Sequence, residues 1–498
     1  PVCASSASSP ASALLRDEGS DGMTAAYDLD HPATGQSVSD GAVVVLAAVT
    51  VLAVWQGISA TTAVVTLAAA VAGCWLVRRP LLVAVAVVLA VAGAVLSQRA
   101  WDAATAPVLG PFRGWATLAT DPQPRGNSVH VVLEMDGQRF EAFLYGSSSW
   151  QLGRRAAGER VLVEARRVPL PADRARRAQA RHIVGRFEID QVFLDAPGSP
   201  LATSANRVRD TLRNGAEAVM PANDAALFTG LVIGDDSRQP SAMIDAFRAA
   251  GLSHLTAVSG QNVGFTLAVF GVMLRRLRPW WRLGATWAVI AWFVVVTRVE
   301  PSVVRAGVMA SMSAWGFALG RERSPLRMLA LAVIVLVLVD PLLVWSVGFW
   351  LSVTATAGVT AAAPRIERRL GGPRWLAAPL AVTLGAQLGV LLPSWLVFGR
   401  MPSLGVVANM LAVPVAGVVM LIGIPAAMVA AVVPHWLAVV AMAPAAWGTR
   451  WVRAVAELSA RLEPHGLVAA TVWSVQLAVV LALVMHGRAR AAEPDARR

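Results

Sequence analysis

"RMLALAVIVLVLVDPLLVWSVGFWLSVTATAGV", residues 327–359, carries only two ionisable side chains, Arg327 at its start and Asp340 near its middle. A run this apolar has no polar face to offer water. Asp340-Pro341 divides it, and the reading is two bilayer spans, near 327–340 and 342–361, joined by a short turn. Runs close to the roughly 17–25 residues that cross a bilayer recur along the chain.

Composition agrees: 56% of the 498 residues are hydrophobic and 15% are charged. The fold class expected is a polytopic α-helical membrane protein with about 12 transmembrane segments. Spans are expected near 42–58, 60–77 and 80–97, and again near 255–274, 283–298, 302–320, 327–340, 342–361, 375–393, 404–422, 424–446 and 467–485. The organisation that follows is a disordered polar tail over 1–40, three helices over 41–98, an inserted domain over 99–200, an amphipathic helical region over 201–250, a second hydrophobic block over 251–486 and a basic tail over 487–498.

The 43 basic residues are all arginine, against 31 acidic ones, a net charge of +12. One reading is contact with phosphates. The other is the positive-inside rule, under which basic loops stay cytoplasmic. Arg78-Arg79, Arg275 to Arg282, Arg321 to Arg327, Arg365 to Arg374 and the C-terminal arginines fall in alternate loops. That pattern puts the N-terminus in the cytoplasm of an inner or plasma membrane protein and the inserted domain outside. One loop dissents: 447–466, with Arg450, Arg453 and Arg461, falls outside by this count. The segment 424–446, broken by Pro434, is the least regular span and is also readable as re-entrant.

Within 99–200 the period changes to two. "WATLAT" (115–120), "SVHVVLEM" (128–135), "RFEAFLY" (139–145), "ERVLVEA" (159–165) and "RHIVGRFEIDQVFL" (181–194) read as strands, with Asp136-Gly137 as a tight hairpin. Such a set fits a small all-β barrel of the OB type, a common oligonucleotide binder, or a plain small sandwich. In 202–250, Arg209 and Arg213 are one turn apart and are expected on a polar face, away from Val208, Leu212 and Val219.

Catalytic signatures are missing from the sequence. The histidines have no metal-ligand spacing, and Cys3 and Cys74 suggest neither a disulfide nor a metal site. No phosphate loop, Gly-x-Gly-x-x-Gly or Gly-x-Ser-x-Gly occurs. No enzyme activity, cofactor or metal is expected. Polar residues inside spans remain. Those of the Ser and Thr kind commonly bond their own helix. Arg305, Gln387 and Asn409 need partners across helices or a wet cavity. "GLSHLTAVSGQNVGF" (251–265) opens a span with His254, a Ser259-Gly260 break, and the amides Gln261 and Asn262.

These residues carry a resemblance. "FRAAGLSHLTAVSGQNVGF" (247–265), "GLVIGDD" (230–236), "PSVVRAGVMA" (301–310), "DPLLVWSVGFWLSVTATAGV" (340–359) and "MPSLGVVANMLAVPVAG" (401–417) resemble, in order, the motifs of the competence ComEC family, inner-membrane channels for DNA uptake. The resemblance implies passage of single-stranded DNA into the cytoplasm, with no catalytic residue. It implies a polar seam of His254, Ser259, Gly260, Gln261, Asn262, Arg305, Asp340, Ser352, Gln387 and Asn409. An OB-like domain outside would hold the strand, with Arg113, Arg125, Arg139, Trp150, Arg154 and Arg155 as DNA-binding candidates. Implied partners are the lipid bilayer, a DNA receptor, a cytoplasmic motor, a separate nuclease and, as an option, further copies of the chain.

Two departures stand out. Asn262 occupies the place of a histidine usual in the family, and no metallo-β-lactamase-like domain follows the hydrophobic block, so that form of the family is expected to rely on another nuclease. Two alternatives stay open: a secondary transporter of another substrate, and a non-transporting envelope protein with the same fold.

Overall fold

The computed structural model describes residues 39–57, 80–256, 260–318, 324–399, 402–464 and 466–485. The expected span at 60–77, Ser259 and both tails, apart from Ser39 and Asp40, lie outside the described residues. Helices α1 (Asp40–Gln56) and α2 (Pro80–Thr105) lead into a β domain. Its strands are β1 (Gly110–Leu118), β2 (Gln123–Arg125), β3 (Ser128–Met135), β4 (Gln138–Leu144), β5 (Arg160–Val168) and β6 (Ile183–Ala196), with helix α3 (Gly146–Gly153) after β4 and α4 (Ala172–Gln179) after β5.

The sheet runs β1-β5-β6-β4-β3-β2, and β1 also pairs with β3, so it closes into a small barrel. β4 and β6 are parallel; the other pairs are antiparallel. Alternation explains the interior: Leu118, Leu133, Phe140, Leu144, Val163 and Phe187 point in and are buried, and Leu152 of α3 joins them. The β3–β4 hairpin turns on Asp136 and Gly137 at φ 49° and 73°. Positive φ at both central residues is what a type I′ turn needs, and glycine takes it without strain.

Next come α5 (Pro200–Glu217), α6 (Ala222–Ile233), α7 (Ser241–Ala249) and the single turn α8 (Ser253–Thr256). Ser199 caps α5 by accepting from the Ala202 amide, with Pro200 at the first position. The bundle then runs α9 (Gly260–Leu274), α10 (Pro279–Val296), α11 (Pro301–Ala318), α12 (Pro325–Val339), a 3₁₀ turn (Pro341–Trp345), α13 (Val347–Leu370), α14 (Arg374–Phe398), α15 (Gly405–Ala430), α16 (His435–Leu462) and α17 (Gly466–Met485).

Among the described residues, six helices are long and apolar enough to cross a membrane: α2, α10, α13, α14, α15 and α17. Helices α1, α6, α9 and α12 are apolar but shorter. The protein is therefore a helical membrane protein with an inserted β domain.

Two boundaries differ from expectation. The spans expected at 404–422 and 424–446 are instead one helix, α15, which runs on through Pro425, and then α16. The stretch expected as a loop, 447–466, is mostly helix: Arg450, Arg453 and Arg461 all sit on α16.

Small residues set the closest packing. Ala408, Ala412, Ala416 and Ala427 of α15 and Ala438, Ala445 and Ala456 of α16 are buried together in the largest core. Alanine at helical spacing lets two backbones approach, the usual device between helices in lipid. The α13–α14 pair goes further. A Cβ at Gly358 would lie 2.9 Å from the Gly389 nitrogen and 3.0 Å from its Cα, so backbone meets backbone.

Candidate functional site

The described start of α9 carries Gly260 and the amides Gln261 and Asn262. A Cβ at Gly260 would meet Ala306 Cβ at 3.0 Å and Arg305 Nη2 at 3.8 Å, so α9 begins against α11 where both present small groups. Asn262 is 2% exposed, and its Nδ2 donates to the Leu231 carbonyl at 2.9 Å. That carbonyl lies in the last turn of α6, where backbone oxygens have no partner within the helix. The amide thus ties α9 to α6. Gln261, next to it, is exposed.

Arg305 lies beside Gly260. Its residue exposure is 3%, and its Nε and Nη1 have no hydrogen-bond partner. A guanidinium covered without acceptors costs free energy, so the position is not explained by packing alone.

The other expected seam residues divide into groups. Gln387 of α14 lies beside Gly405, where a Cβ would be 3.2 Å from its Nε2. Asn409 donates to the Gly405 carbonyl in its own helix at 2.6 Å. Gly251, just before α8, packs on the same turn: its Cβ would be 3.1 Å from Pro402 Cγ. Ser352 accepts from Thr356 within α13, a local bond. His254 is on the exposed side of α8. Asp340 caps the 3₁₀ turn through the Leu342 amide and meets His182 of the β domain at 3.0 Å.

A charged cluster that sequence reasoning missed joins barrel and bundle. Asp121, in the β1–β2 turn, accepts from Arg298 Nε at 2.9 Å and Nη2 at 2.7 Å, from Arg209 Nη2 at 3.0 Å and from the Ala157 amide at 2.8 Å. Arg209 also donates to the Val296 carbonyl at 3.0 Å and lies 3.3 Å from Asp235. Arg213 Nη2 donates to Asp235 at 2.7 Å.

Arg209 is thus buried on the inner face of α5, with Ala205, Leu212 and Ala216, rather than on a solvated polar face. Two carboxylates compensate its charge there. Burial works against the Asp235 charge, yet the Arg209 guanidinium, the Ser237 hydroxyl and Arg213 outweigh it and hold the carboxyl at about 2. Arg298 and Val299 adopt φ 61° and 57°, a left-handed backbone that β-branched residues rarely accept. The turn after α10 is bent so that Arg298 reaches the barrel.

A second cluster answers the dissenting loop. Asp224 of α6 is 2% exposed and lies 3.4 Å from Arg450 and 3.1 Å from Arg453.

A family model described as "Competence protein" matches residues 231–492. The chain belongs to the Competence protein family. It is 26% identical over 309 residues to Competence protein ComA of Neisseria gonorrhoeae, covering 56% of this chain and 44% of that one. It is 26% identical over 209 residues to ComE operon protein 3 of Bacillus subtilis, covering 40% of this chain and 25% of that one. The match thus spans less than half of either relative. No solved structure matches. The Competence region takes in Asp235, Gly260, Asn262, Arg305, Asp340, Ser352, Gln387 and Asn409, whereas the barrel precedes it.

The barrel of this Competence family member carries arginine and aromatic side chains in pairs. Arg113 lies over Phe193 at 5.1 Å, Arg160 over Trp115 at 5.3 Å and Arg154 over Trp150 at 5.3 Å. The three rings are exposed. Arg113 and Trp115 share one face of β1, and Thr117 on that face pairs with Arg160. Trp115, Arg160 and Phe193 were not singled out from sequence; their signal was an exposed aromatic at an i+2 position from Arg113. Of the other candidates, Arg125 is exposed, Arg139 is held by Glu134 at 2.8 Å and Arg155 by Asp195 at 2.7 Å.

Proposed function

We propose that this chain conducts single-stranded DNA through the inner membrane during natural transformation. The observation that carries the reading is the Competence match over 231–492, the part that holds Gly260, Asn262 and Arg305. The names of the relatives, a competence protein and a ComE operon protein, point the same way.

In this reading the barrel is of the OB kind and receives the strand. Support comes from its order, with antiparallel strands closed by β1, one parallel pair β4–β6 and a helix between β4 and β5. Exposed Trp115, Trp150 and Phe193 offer stacking platforms, and the arginines above them attract phosphate.

The barrel lies outside and the N-terminus inside. Contacts agree with the arginine count. Asp121–Arg298 and His182–Asp340 place the turns after α10 and α12 on the barrel's side. Asp40 at the start of α1 meets Arg327 at 2.7 Å and also bonds Ser324, grouping the opposite ends. A separate receptor, motor and nuclease would deliver, pull and trim the strand.

The test is uptake of labelled DNA by a strain deleted for this gene, with and without the gene restored. Recovery of cytoplasmic single strand on restoration is expected. Normal uptake in the deletion strain would overturn the reading and favour a transporter of another substrate.

A further inference from the structure

We propose that the barrel holds the strand on the outer face of β1, β5 and β6, and not on the face of β3 and β4. The inference rests on the strand-receiving reading of the barrel and adds the surface that does it. With the three-residue β2 set aside, β3 and β4 are the second and third strands of the closed barrel. That is the face on which OB-type barrels ordinarily bind. In this barrel it is already engaged. Alternation turns His130 and Glu134 of β3 outward, and Arg139, Glu141 and Phe143 of β4 with them. Glu134 holds Arg139 at 2.8 Å, and Glu141 lies 3.7 Å from His130 and 3.8 Å from Arg186 of β6. Phe143 is half-buried, with Arg186 over its ring at 4.8 Å and the His130 ring at 4.8 Å. The arginines of this face are neutralised and its ring is flanked, so it offers a strand little.

The face of β1, β5 and β6 is open. Trp115 of β1 lies opposite Leu162 of β5, which lies opposite Leu194 of β6, and residues paired in this way share a face. Trp115 is 39% exposed and Leu194 is 59% exposed. The register shifts after Leu162, which leaves Phe193 as the extra residue of a β-bulge. The bulge turns a second ring outward: Phe193 is 41% exposed and lies beneath Arg113. No carboxylate among the described residues pairs with Arg113 or Arg160. Glu164 stands opposite Arg113 in the ladder but makes no ion pair with it.

Bases stack on aromatic rings and on guanidinium groups alike, and a guanidinium also carries the charge that a phosphate needs. Side chains two strands apart stand roughly 10 Å from each other at the usual strand spacing. The DNA therefore crosses β1, β5 and β6 rather than following one of them. One base rests on Trp115, another on Phe193, and Leu162 and Leu194 form the apolar floor between. Contacts to base faces and phosphates pass any sequence.

The test is the anisotropy of fluorescein-labelled octathymidylate with the purified full chain in detergent, comparing wild type with Phe193→Ala, Glu164→Gln and Arg139→Gln. Loss of one stacking ring in Phe193→Ala should weaken binding about tenfold. Glu164→Gln removes the carboxylate beside Arg113 and should tighten binding about twofold at low salt, a gain that a folding defect does not produce. Arg139→Gln on β4 should leave the affinity within about twofold of wild type. A loss in Arg139→Gln with none in Phe193→Ala puts the strand on the β3–β4 face and overturns the inference. Unchanged affinity in both Phe193→Ala and Glu164→Gln overturns it too, as does wild type that fails to bind. Should Phe193→Ala fail to fold, Glu164→Gln decides by its gain. Uptake by the deletion strain is a separate result. Uptake restored by the gene, with octathymidylate held on β4, sinks this surface alone, whereas uptake that never depends on the gene sinks the conducting reading.

Discussion

Replacing Asp121 by alanine should loosen the joint between barrel and bundle. The carboxylate accepts three guanidinium bonds, two from Arg298 and one from Arg209, besides the Ala157 amide. Arg209 keeps Asp235 after the change, but Arg298 keeps only the Ala157 carbonyl at 3.2 Å. Breaking a buried pair by removing one partner costs about 3–5 kcal/mol. Asp121 is 21% exposed at its side chain, so water repays part of this and the low end, about 3 kcal/mol, is expected.

At 1.4 kcal/mol per decade, that opens the joint about a hundredfold more often. The readout is hydrogen exchange at the Val299 amide, which bonds the Val294 carbonyl at 2.8 Å and does not touch Asp121. Its protection reports whether the left-handed turn at Arg298 and Val299 holds. Exchange should speed up about a hundredfold in Asp121→Ala. A change below about threefold, under 1 kcal/mol, would show that the ion cluster does not hold the joint.

Asn262→Leu should leave the Leu231 carbonyl without its donor, costing about 1–3 kcal/mol and abolishing uptake, while Asn262→His, which keeps a ring N–H, should retain function; transformation frequency at matched protein levels decides. The Asp235 carboxyl, held at about 2, contributes stability that is present above the ordinary carboxylate value of 3.8 and lost as pH falls through 2. Thermal unfolding of Asp235→Asn against wild type should therefore show a constant gap from pH 5 to pH 8 that narrows only in acid, and a gap that grows below pH 4 would contradict the ion pairing. On the barrel, Trp115→Ala should weaken single-stranded DNA binding by about 1–3 kcal/mol, whereas Arg160→Gln should lower the salt slope by about 1; fluorescence anisotropy across salt concentrations separates the two.

The barrel was readable because its strands alternate cleanly and its hairpin turns on Asp-Gly; four of the expected strands overlap β3, β4, β5 and β6 closely. The α15–α16 boundary was readable only in part: the break at Pro434 lies where α16 begins, but 424–446 was read as one span, whereas α15 runs on through Pro425, since a neighbouring helix in lipid can support a proline within a helix. The arginines of 447–466 looked like a loop for the same reason that Arg209 looked solvated. Local pattern reports polarity, not the distant carboxylate that neutralises it: Asp224 for Arg450 and Arg453, Asp121 and Asp235 for Arg209. At the start of α9, type and position of Gly260, Asn262 and Arg305 were visible, but not that Asn262 donates to Leu231 while Nε and Nη1 of Arg305 have no hydrogen-bond partner.

The glycine contact between α13 and α14 sets where movement is allowed. With Gly358 lying directly on Gly389, no side chain stands between the helices at that point, and a slide of one along the other drives backbone into backbone there. The two therefore act as a single stiff plank. Any movement between helices must then be borne by seams of a different kind, where a glycine meets a methyl rather than another main chain. The contact of Gly260 with Ala306 is one of these. In mechanical terms the plank is the fixed member of the bundle.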